Sequence, residues 1–233
     1  SGSKANANQF YIAAIGAILL GVYAFTLPAC QPQGKTNEKK SLASMLGLDA
    51  FKLFANYQMA LFFVFSVLLG AALQLSNMYG DAYLSSFPKG TLVEKYSTII
   101  YSISQVSETI FILTIPFFLK RFGIKNVMLF ALVAWVLRYG FFAYGSADFG
   151  VFLIVMSCIV YGMAFDFFLI SGSMFVEANT DSSIRSSAQG LFIMMTNGIG
   201  AYIGTVASSA LIGAYYILPD GSTNWHGAWL LFA

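Results

Sequence analysis

Carboxylate, amide and aromatic side chains stand inside apolar stretches of this sequence, where they are placed to bind a ligand or carry a proton. The clearest case is Asp166, which lies near the centre of the apolar run at residues 152–176. That run is as long as the ~20 residues that cross the hydrocarbon core of a bilayer. A carboxylate at this depth costs roughly 3 kcal/mol if it faces lipid, so we expect it to face protein or a water-filled cavity. An ionisable residue there marks a candidate functional site.

Two polar pairs inside other apolar runs share one spacing. Gln74 and Asn77 are three residues apart, and so are Gln105 and Glu108. Residues three apart lie about 60° apart around a helix, so each pair occupies one face. Each pair therefore offers hydrogen-bonding groups in one direction.

The run that contains Asp166 adds two rings, because Tyr161 and Phe165 are four residues apart and directly precede it. Amides and carboxylates fix the edges of a small, flat, polar ligand, and aromatic rings stack on its face. Three helices carrying such groups favour a sugar, a base or a nucleoside as the ligand.

Simpler interpretations stay open for each of these residues. The amides can serve as links between helices worth ~1 kcal/mol or less. Glu108 or Asp166 can form an ion pair with Arg138, the one basic residue inside a predicted span, which we interpret as a structural charge. Tyr161 and Phe165 can simply pack.

Composition indicates the class of protein. Hydrophobic residues make up 58% of the 233 residues and charged residues only 9%, which is typical of an integral membrane protein with several apolar helices. Twelve Lys and Arg against ten Asp and Glu imply no nucleic-acid partner. Cys30 and Cys158 stand far apart without a CxxC motif, so we interpret them as packing residues and predict no metal site. No GxSxG, HExxH or phosphate-binding loop occurs, so we expect neither an enzyme nor a cofactor.

Apolar runs predict six complete spans and the start of a seventh near His226. A polar stretch at residues 31–56 separates the first two spans and ends in a short amphipathic helix, LASMLGLDAFKLF. Gly198, Gly200 and Gly204 are expected to admit a neighbouring helix closely in the sixth span, which is long enough to be tilted or kinked. The complete spans are 9–27, 59–79, 97–119, 127–144, 151–176 and 188–216.

Basic residues predict the orientation of the spans. The loops on the side of the polar stretch hold eight Lys and Arg, and those on the other side hold three. Positive charge concentrates on the cytoplasmic side, so the polar stretch is predicted to be cytoplasmic. The sequence begins without Met and its last apolar segment is short, so we expect a piece of a longer protein.

Several segments resemble a known transporter family. The loop in PFFLKRFGIKNVM resembles the Gly-and-basic loop of the major facilitator superfamily. The segments LLGAALQLSNMYG, residues 68–80, and AFDFFLISGSMFVEANTDSSIRSSAQGLFIMMTNGIGAYIG, residues 164–204, are more specific. They resemble the nucleoside:proton symporter family, the bacterial nucleoside permeases, and the similarity extends over nearly the whole chain, including GLDAFKLF and TNWHGAWLLFA.

This resemblance implies an all-α membrane protein, a fragment of a twelve-helix transporter of the major facilitator superfamily. Residues 1–28 would be helix six, residues 29–57 the cytoplasmic linker with its amphipathic helix, and residues 58–233 helices seven to eleven with the start of twelve. Two halves would rock around a central site and import nucleoside with a proton across the bacterial cytoplasmic (inner) membrane. The expected partners are nucleoside, protons, the lipid bilayer and the missing N-terminal half.

The family's nucleoside contacts in this half fall on helices seven, eight and ten. Proton coupling needs a buried group that changes its protonation state, so Glu108 and Asp166 are the candidates for it within this piece. A facilitator or symporter of another polar metabolite such as a sugar, or a non-transporting membrane receptor, is the alternative. The positions of this sequence that match the family's nucleoside contacts are Gln74, Asn77, Gln105, Glu108, Tyr161, Phe165 and Asp166.

Overall fold

The computed structural model describes residues 8–28, 47–148 and 150–233, most of which are helical. Their only β pairing is one isolated bridge between Ile217 and Thr223. The chain divides into two units, Ser1–Lys40 and Ser41–Ala233. The described part of the first unit holds helix α1, Asn8–Ala24. Cys30 and most of the predicted linker lie outside the described residues.

The second unit contains the remaining helices. Polar side chains begin three of them. The side-chain oxygen of Asn56 accepts a hydrogen bond from the Gln58 amide at 2.9 Å, that of Thr91 from the Glu94 amide at 3.4 Å, and that of Asn224 from the Gly227 amide at 3.1 Å. In chain order the unit holds a 3₁₀ helix (Leu48–Ala55), α2 (Tyr57–Ser85), α3 (Leu92–Lys95), α4 (Ser97–Tyr144), α5 (Val151–Ala178), α6 (Arg185–Ile193), a π-helix (Met194–Gly200), α7 (Ala201–Tyr215) and α8 (Trp225–Phe232).

Helix α4 folds back on itself at Gly123, whose φ of 75° and ψ of 166° are not helical. The hydroxyl of Tyr101 donates to the Ser76 carbonyl at 2.9 Å, and Arg138 Nη2 donates to the Ser76 hydroxyl at 2.6 Å. A straight helix would hold residues 101 and 138 about 55 Å apart, so the two arms must be antiparallel. The first arm is residues 97–122 and the second is residues 124–144. The predicted loop between these spans is therefore one glycine, since a positive φ is accessible to glycine without strain.

Four described helices are long and apolar enough to cross a membrane, judged by length and composition. Because one of them is the two-armed α4, the four supply the five predicted spans from 59–79 to 188–216. Apolar α1 is shorter. The four helices are Tyr57–Ser85, Ser97–Tyr144, Val151–Ala178 and Arg185–Tyr215.

The sixth predicted span changes its helical register in the π-helix and packs closely on α2. A Cβ atom on Gly200 would lie 2.6 Å from the Val67 carbonyl oxygen, and one on Gly204 would lie 2.7 Å from Ala71. The prediction of close approach is confirmed at these two glycines. It is wrong at Gly198, where an added Cβ would meet only the Met194 side chain of its own helix, at 3.6 Å.

The predicted amphipathic helix is a 3₁₀ helix over its described part, Leu48–Ala55. Ala50 is buried and Phe51 is exposed, so one side packs on the bundle. Contact with α2 includes the rings of Phe54 and Phe63, whose centroids are 5.1 Å apart. Gly47, with φ 73°, precedes this 3₁₀ helix, and Asn56 follows it and also caps α2. The helix is therefore limited to the eight residues between them.

Candidate functional site

Three helical segments hold the predicted site residues at a similar depth. Helix α2 carries Gln74 and Asn77, the first arm of α4 carries Gln105 and Glu108, and α5 carries the aromatic and acidic residues. Each residue is at least eight positions from the nearer end of its helical segment, which is about 12 Å along the axis. The candidate site therefore lies well inside the apolar bundle.

The hydroxyl of Tyr161 joins the three helices. It donates a hydrogen bond to Asn77 Oδ1 at 3.4 Å. The Glu108 carboxylate lies close enough to the same residue to interact with it electrostatically. One phenol on α5 thus bonds a polar residue of α2 and lies near a carboxylate of α4.

The ring of Tyr161 is held from several sides. The Arg138 guanidinium carbon lies 4.1 Å from the ring centroid. Trp135, three residues earlier on the same arm, meets the ring edge-on with centroids 5.9 Å apart at 89°. Phe165 lies parallel to it at 6.1 Å and 8°. Because Tyr161 is also only 7% exposed, its ring has little freedom to turn.

Arg138 is fully buried, and its guanidinium has defined partners. Its Nε and Nη2 donate to the Ser76 hydroxyl at 2.9 and 2.6 Å, and Nη1 donates to the Ser157 carbonyl at 3.0 Å. Among the described residues, ion pairs join only Lys52 to Asp49 and Arg185 to Glu177. The alternative in which Arg138 forms an ion pair with one of the site carboxylates is therefore not realised in this structure.

The two site carboxylates lie in different surroundings. Asp166 is 4% exposed, and its Oδ2 has no hydrogen-bond partner among the described residues. Glu108 is half-buried. The two carboxylates are close enough to interact electrostatically. The site thus holds a buried acceptor oxygen whose hydrogen-bonding capacity is unused.

The remaining predicted residues lie on the open side of the site. Asn77 and Gln105 are exposed, whereas Gln74 and Phe165 are half-buried. The side-chain amides of Gln74 and Gln105 make no hydrogen bond to the described residues, and Phe165 contacts the cluster through the Tyr161 ring. Two amides and one aromatic face are therefore available to a ligand.

Two residues that matter here were missed by the sequence analysis. Ser76 anchors Arg138 and is completely buried, and Trp135 flanks the Tyr161 ring. Ser76 stands between Gln74 and Asn77, and Trp135 is three residues before Arg138. Trp135 could have been found from its helical spacing to Arg138, which the sequence analysis had already named. Ser76 could not, because a serine inside an apolar run carries no signal of its own.

A separate cavity of about 680 Å³ lies between α2, the second arm of α4 and α5. None of the predicted site residues lines it. Its walls are mostly apolar, with Gln58 and Lys125 as polar exceptions. The candidate site is thus a polar face and not this cavity.

The comparisons with known proteins agree on a family. The family model described as "Nucleoside H+ symporter" matches residues 2–233. Xanthosine permease of Escherichia coli (strain K12) is 52% identical over 97% of this chain and 54% of its own length. Nucleoside permease NupG of the same organism is 50% identical over 100% of this chain and 56% of its own length.

Solved structures agree with the sequence relatives. A crystal structure of a point mutant of nucleoside transporter NupG matches with a TM-score of 0.82 at 50% identity, over 96% of this chain and 56% of that chain. Another NupG crystal structure matches with a TM-score of 0.76. The chain spans about half the length of the relatives it matches. The predicted all-α membrane fold, shared with a larger transporter, is confirmed. Because the family model covers nearly every residue, this chain belongs to the nucleoside H+ symporter family.

Proposed function

We propose that this chain forms the C-terminal half of a proton-coupled nucleoside importer of the bacterial inner membrane. Residues 1–28 would be its sixth helix, 29–57 the cytoplasmic linker, and 58–233 helices seven to eleven with the start of twelve. The relatives are named as permeases or transporters of nucleosides, and the chain covers 54% and 56% of the two permeases compared. Transport rather than catalysis is the activity that these names support.

The observation that carries this proposal is the Tyr161 hydroxyl between Asn77 and Glu108. A ribose hydroxyl both donates and accepts hydrogen bonds, so its recognition needs acceptors such as a carboxylate together with an amide, which offers both roles. Here such groups come from three helices and converge within an apolar bundle. A planar base could stack on the half-buried ring of Phe165 beside them, since aromatic rings favour offset stacking.

The openness of the site supports a role as one wall of a larger site. Asn77 and Gln105 are exposed although their helices are apolar. In transporters of this kind the substrate lies near the bilayer midplane between two repeats that rock against each other. In this proposal the polar face lines that central space, and the N-terminal half of the full-length protein supplies the opposite wall.

Glu108 and Asp166 are the proposed proton carriers within this chain. Two carboxylates that interact where water is scarce can hold one proton between them. Asp166 is buried and its Oδ2 has no partner among the described residues, while half-buried Glu108 lies near Tyr161. We assign Glu108 to nucleoside binding and coupling together, because it is the carboxylate that reaches the hydroxyl of the proposed binding cluster.

The test is uptake of radiolabelled uridine and xanthosine by cells that express the full-length protein, with and without a protonophore. Uptake that collapses when the proton gradient is removed is the expected result. Uptake of neither nucleoside would overturn the proposal and favour a sugar transporter, and saturable binding without accumulation would favour a receptor.

A matched pair of variants locates the nucleoside site. Gln74→Ala removes an amide from the candidate site, so we expect a higher KM for uridine. Gln58→Ala removes the same group from the other end of α2, outside the site, and should leave uptake unchanged. Equal effects of the two substitutions would contradict the proposed location.

A further inference from the structure

We infer that Arg138 is a positioning residue for the nucleoside site, acting through Tyr161. Its guanidinium, anchored by Ser76, holds the Tyr161 ring so that the hydroxyl stays between the groups that bind nucleoside. This inference rests on the proposed function, because it concerns the same site.

The anchoring of the guanidinium is the first step. The Ser76 hydroxyl accepts hydrogen bonds from both Nε and Nη2, at 2.9 and 2.6 Å. The Ser157 carbonyl accepts one from Nη1 at 3.0 Å, and the Ser157 hydroxyl donates to the Arg138 carbonyl at 2.8 Å. The planar guanidinium is thus fixed against α2 on one side and α5 on the other.

The clamping of the phenol ring is the second step. The guanidinium carbon lies 4.1 Å from the Tyr161 centroid, within the distance of a cation–π interaction, and Trp135 meets the ring edge-on. Both clamping residues come from the second arm of α4. Since the ring cannot rotate or tilt without displacing them, the arm sets the direction of the hydroxyl.

A purely structural link does not explain the charge. The Tyr139 hydroxyl already donates to the Ala72 carbonyl, and the Tyr83 hydroxyl donates to the Phe142 carbonyl at 2.8 Å. Neutral groups therefore join α2 to the second arm of α4, before and after Ser76 along α2. A buried arginine without an ion-pair partner among the described residues is costly in a membrane. Arg138 differs from these neutral links in its bond to the Ser157 carbonyl and in its contacts with the rings of Phe142, at 4.9 Å, and Tyr161, at 4.1 Å. Of these three partners, only Tyr161 belongs to the candidate site.

The test begins with Ser76→Ala in the full-length protein. This change removes the shared acceptor of two guanidinium hydrogen bonds and leaves all residues of the nucleoside site in place. We expect uridine binding, measured by isothermal titration calorimetry, to weaken about tenfold, with KM for uptake raised and maximal rate retained. Ser66→Ala is the matched control, because Ser66 is equally buried on α2 and its hydroxyl donates only to the Phe62 carbonyl, at 2.8 Å.

A double-mutant cycle separates positioning from structural support. If Arg138 acts through the hydroxyl, Ser76→Ala should weaken uridine binding no further in a Tyr161→Phe background, where the ring remains but the hydroxyl is gone. Arg138→Lys, which keeps the charge but loses the planar group, should behave like Ser76→Ala in both backgrounds. Equal weakening by these changes with and without the hydroxyl would overturn the inference.

The outcome for the unmutated protein distinguishes this inference from the proposed function. A full-length protein that binds neither uridine nor xanthosine overturns the proposed function and the inference with it. Uridine binding by the parent that is unaffected by Ser76→Ala and Arg138→Lys overturns the inference alone.

Discussion

Replacement of Gly70 by alanine should separate α2 from the π-helix that it touches. A Cβ atom at this position would lie 2.0 Å from the Thr196 carbonyl oxygen and 2.7 Å from its carbonyl carbon, whereas ordinary contacts begin at 3.4 Å. The methyl group is therefore about 1.4 Å too close. Both obstructing atoms belong to the backbone, so no change of rotamer relieves the overlap and the helices must move apart.

The magnitude follows from two opposing effects. Overpacking of a well-packed core costs about 1–3 kcal/mol, and a clash with backbone belongs at the upper end, at about 3 kcal/mol. The higher helix propensity of alanine returns about 1 kcal/mol. For a full-length protein about twice as long as this chain, as its relatives are, the net loss of about 2 kcal/mol in the free energy of unfolding corresponds to a Tm lower by roughly 2–4 °C.

Thermal unfolding of the purified full-length protein in detergent measures this change. Gly213→Ala in α7 is the control, because its added Cβ meets nothing within 4 Å and its Tm should stay unchanged or rise. Gly70 lies one turn before Gln74, so the displaced helix should also raise KM for uridine. A Gly70→Ala protein with the Tm and KM of the Gly213→Ala control would refute the argument that these helices must touch through their backbones.

Further predictions concern the hydroxyls and carboxylates. Tyr161→Phe should raise KM for uridine by up to about tenfold, because it removes the hydroxyl that donates to Asn77 and a hydrogen bond is worth up to about 1.5 kcal/mol, and an unchanged KM would exclude the hydroxyl from binding. Glu108→Gln should abolish the dependence of uptake on external pH, and a retained dependence would remove Glu108 as the coupling group. Asp166→Asn should keep its Tm but lose uptake, since Oδ2 has no hydrogen bond to forfeit. Tyr83→Phe should lower the free energy of unfolding by about 1 kcal/mol in denaturation assays at unchanged KM, because it loses the 2.8 Å bond to the Phe142 carbonyl.

The apolar spans and the polar faces were predictable because each depends on local periodicity. The thickness of a bilayer fixes the length of an apolar run, and helical spacing fixes which residues share a face. That reasoning placed Asn77, Glu108 and Tyr161 in one site, and in the structure Tyr161 donates to Asn77 and lies near Glu108. The roles assigned to these residues in nucleoside binding and proton coupling stay predictions.

The partners of Arg138 could not be read from the sequence. Charge alone favours a carboxylate as the partner of a buried arginine, but the structure uses Ser76, the Ser157 carbonyl and the Tyr161 ring. Which side chains meet depends on how three helices cross, and the sequence does not give the crossing geometry. A serine also carries no pattern that separates an anchor from an ordinary residue in an apolar helix.

Helical periodicity alone could have predicted which glycines of the sixth span contact α2. Gly200 and Gly204 are four residues apart, share a face and both touch α2. Gly198 is two residues from Gly200 and thus points about 200° away from it around a helix. The same spacing rule would have excluded Gly198 from this contact. The π-helix around it was not predictable in this way, because a change of helical register leaves the apolar pattern nearly unaltered.

The position of the polar face also determines where a ligand should be sought. The cavity of about 680 Å³ has the volume of a small-molecule pocket, yet its walls are mostly apolar and hold none of the convergent polar groups that fix a ligand's orientation. The face with Asn77, Gln105 and Glu108 has those groups, and Asn77 and Gln105 are exposed on it. A nucleoside needs both enclosure and hydrogen-bonding groups, so under the proposed function the second wall must come from the rest of the full-length transporter. Uridine affinity should therefore depend on both halves being present together, whereas an apolar ligand of the cavity would need only the residues described here.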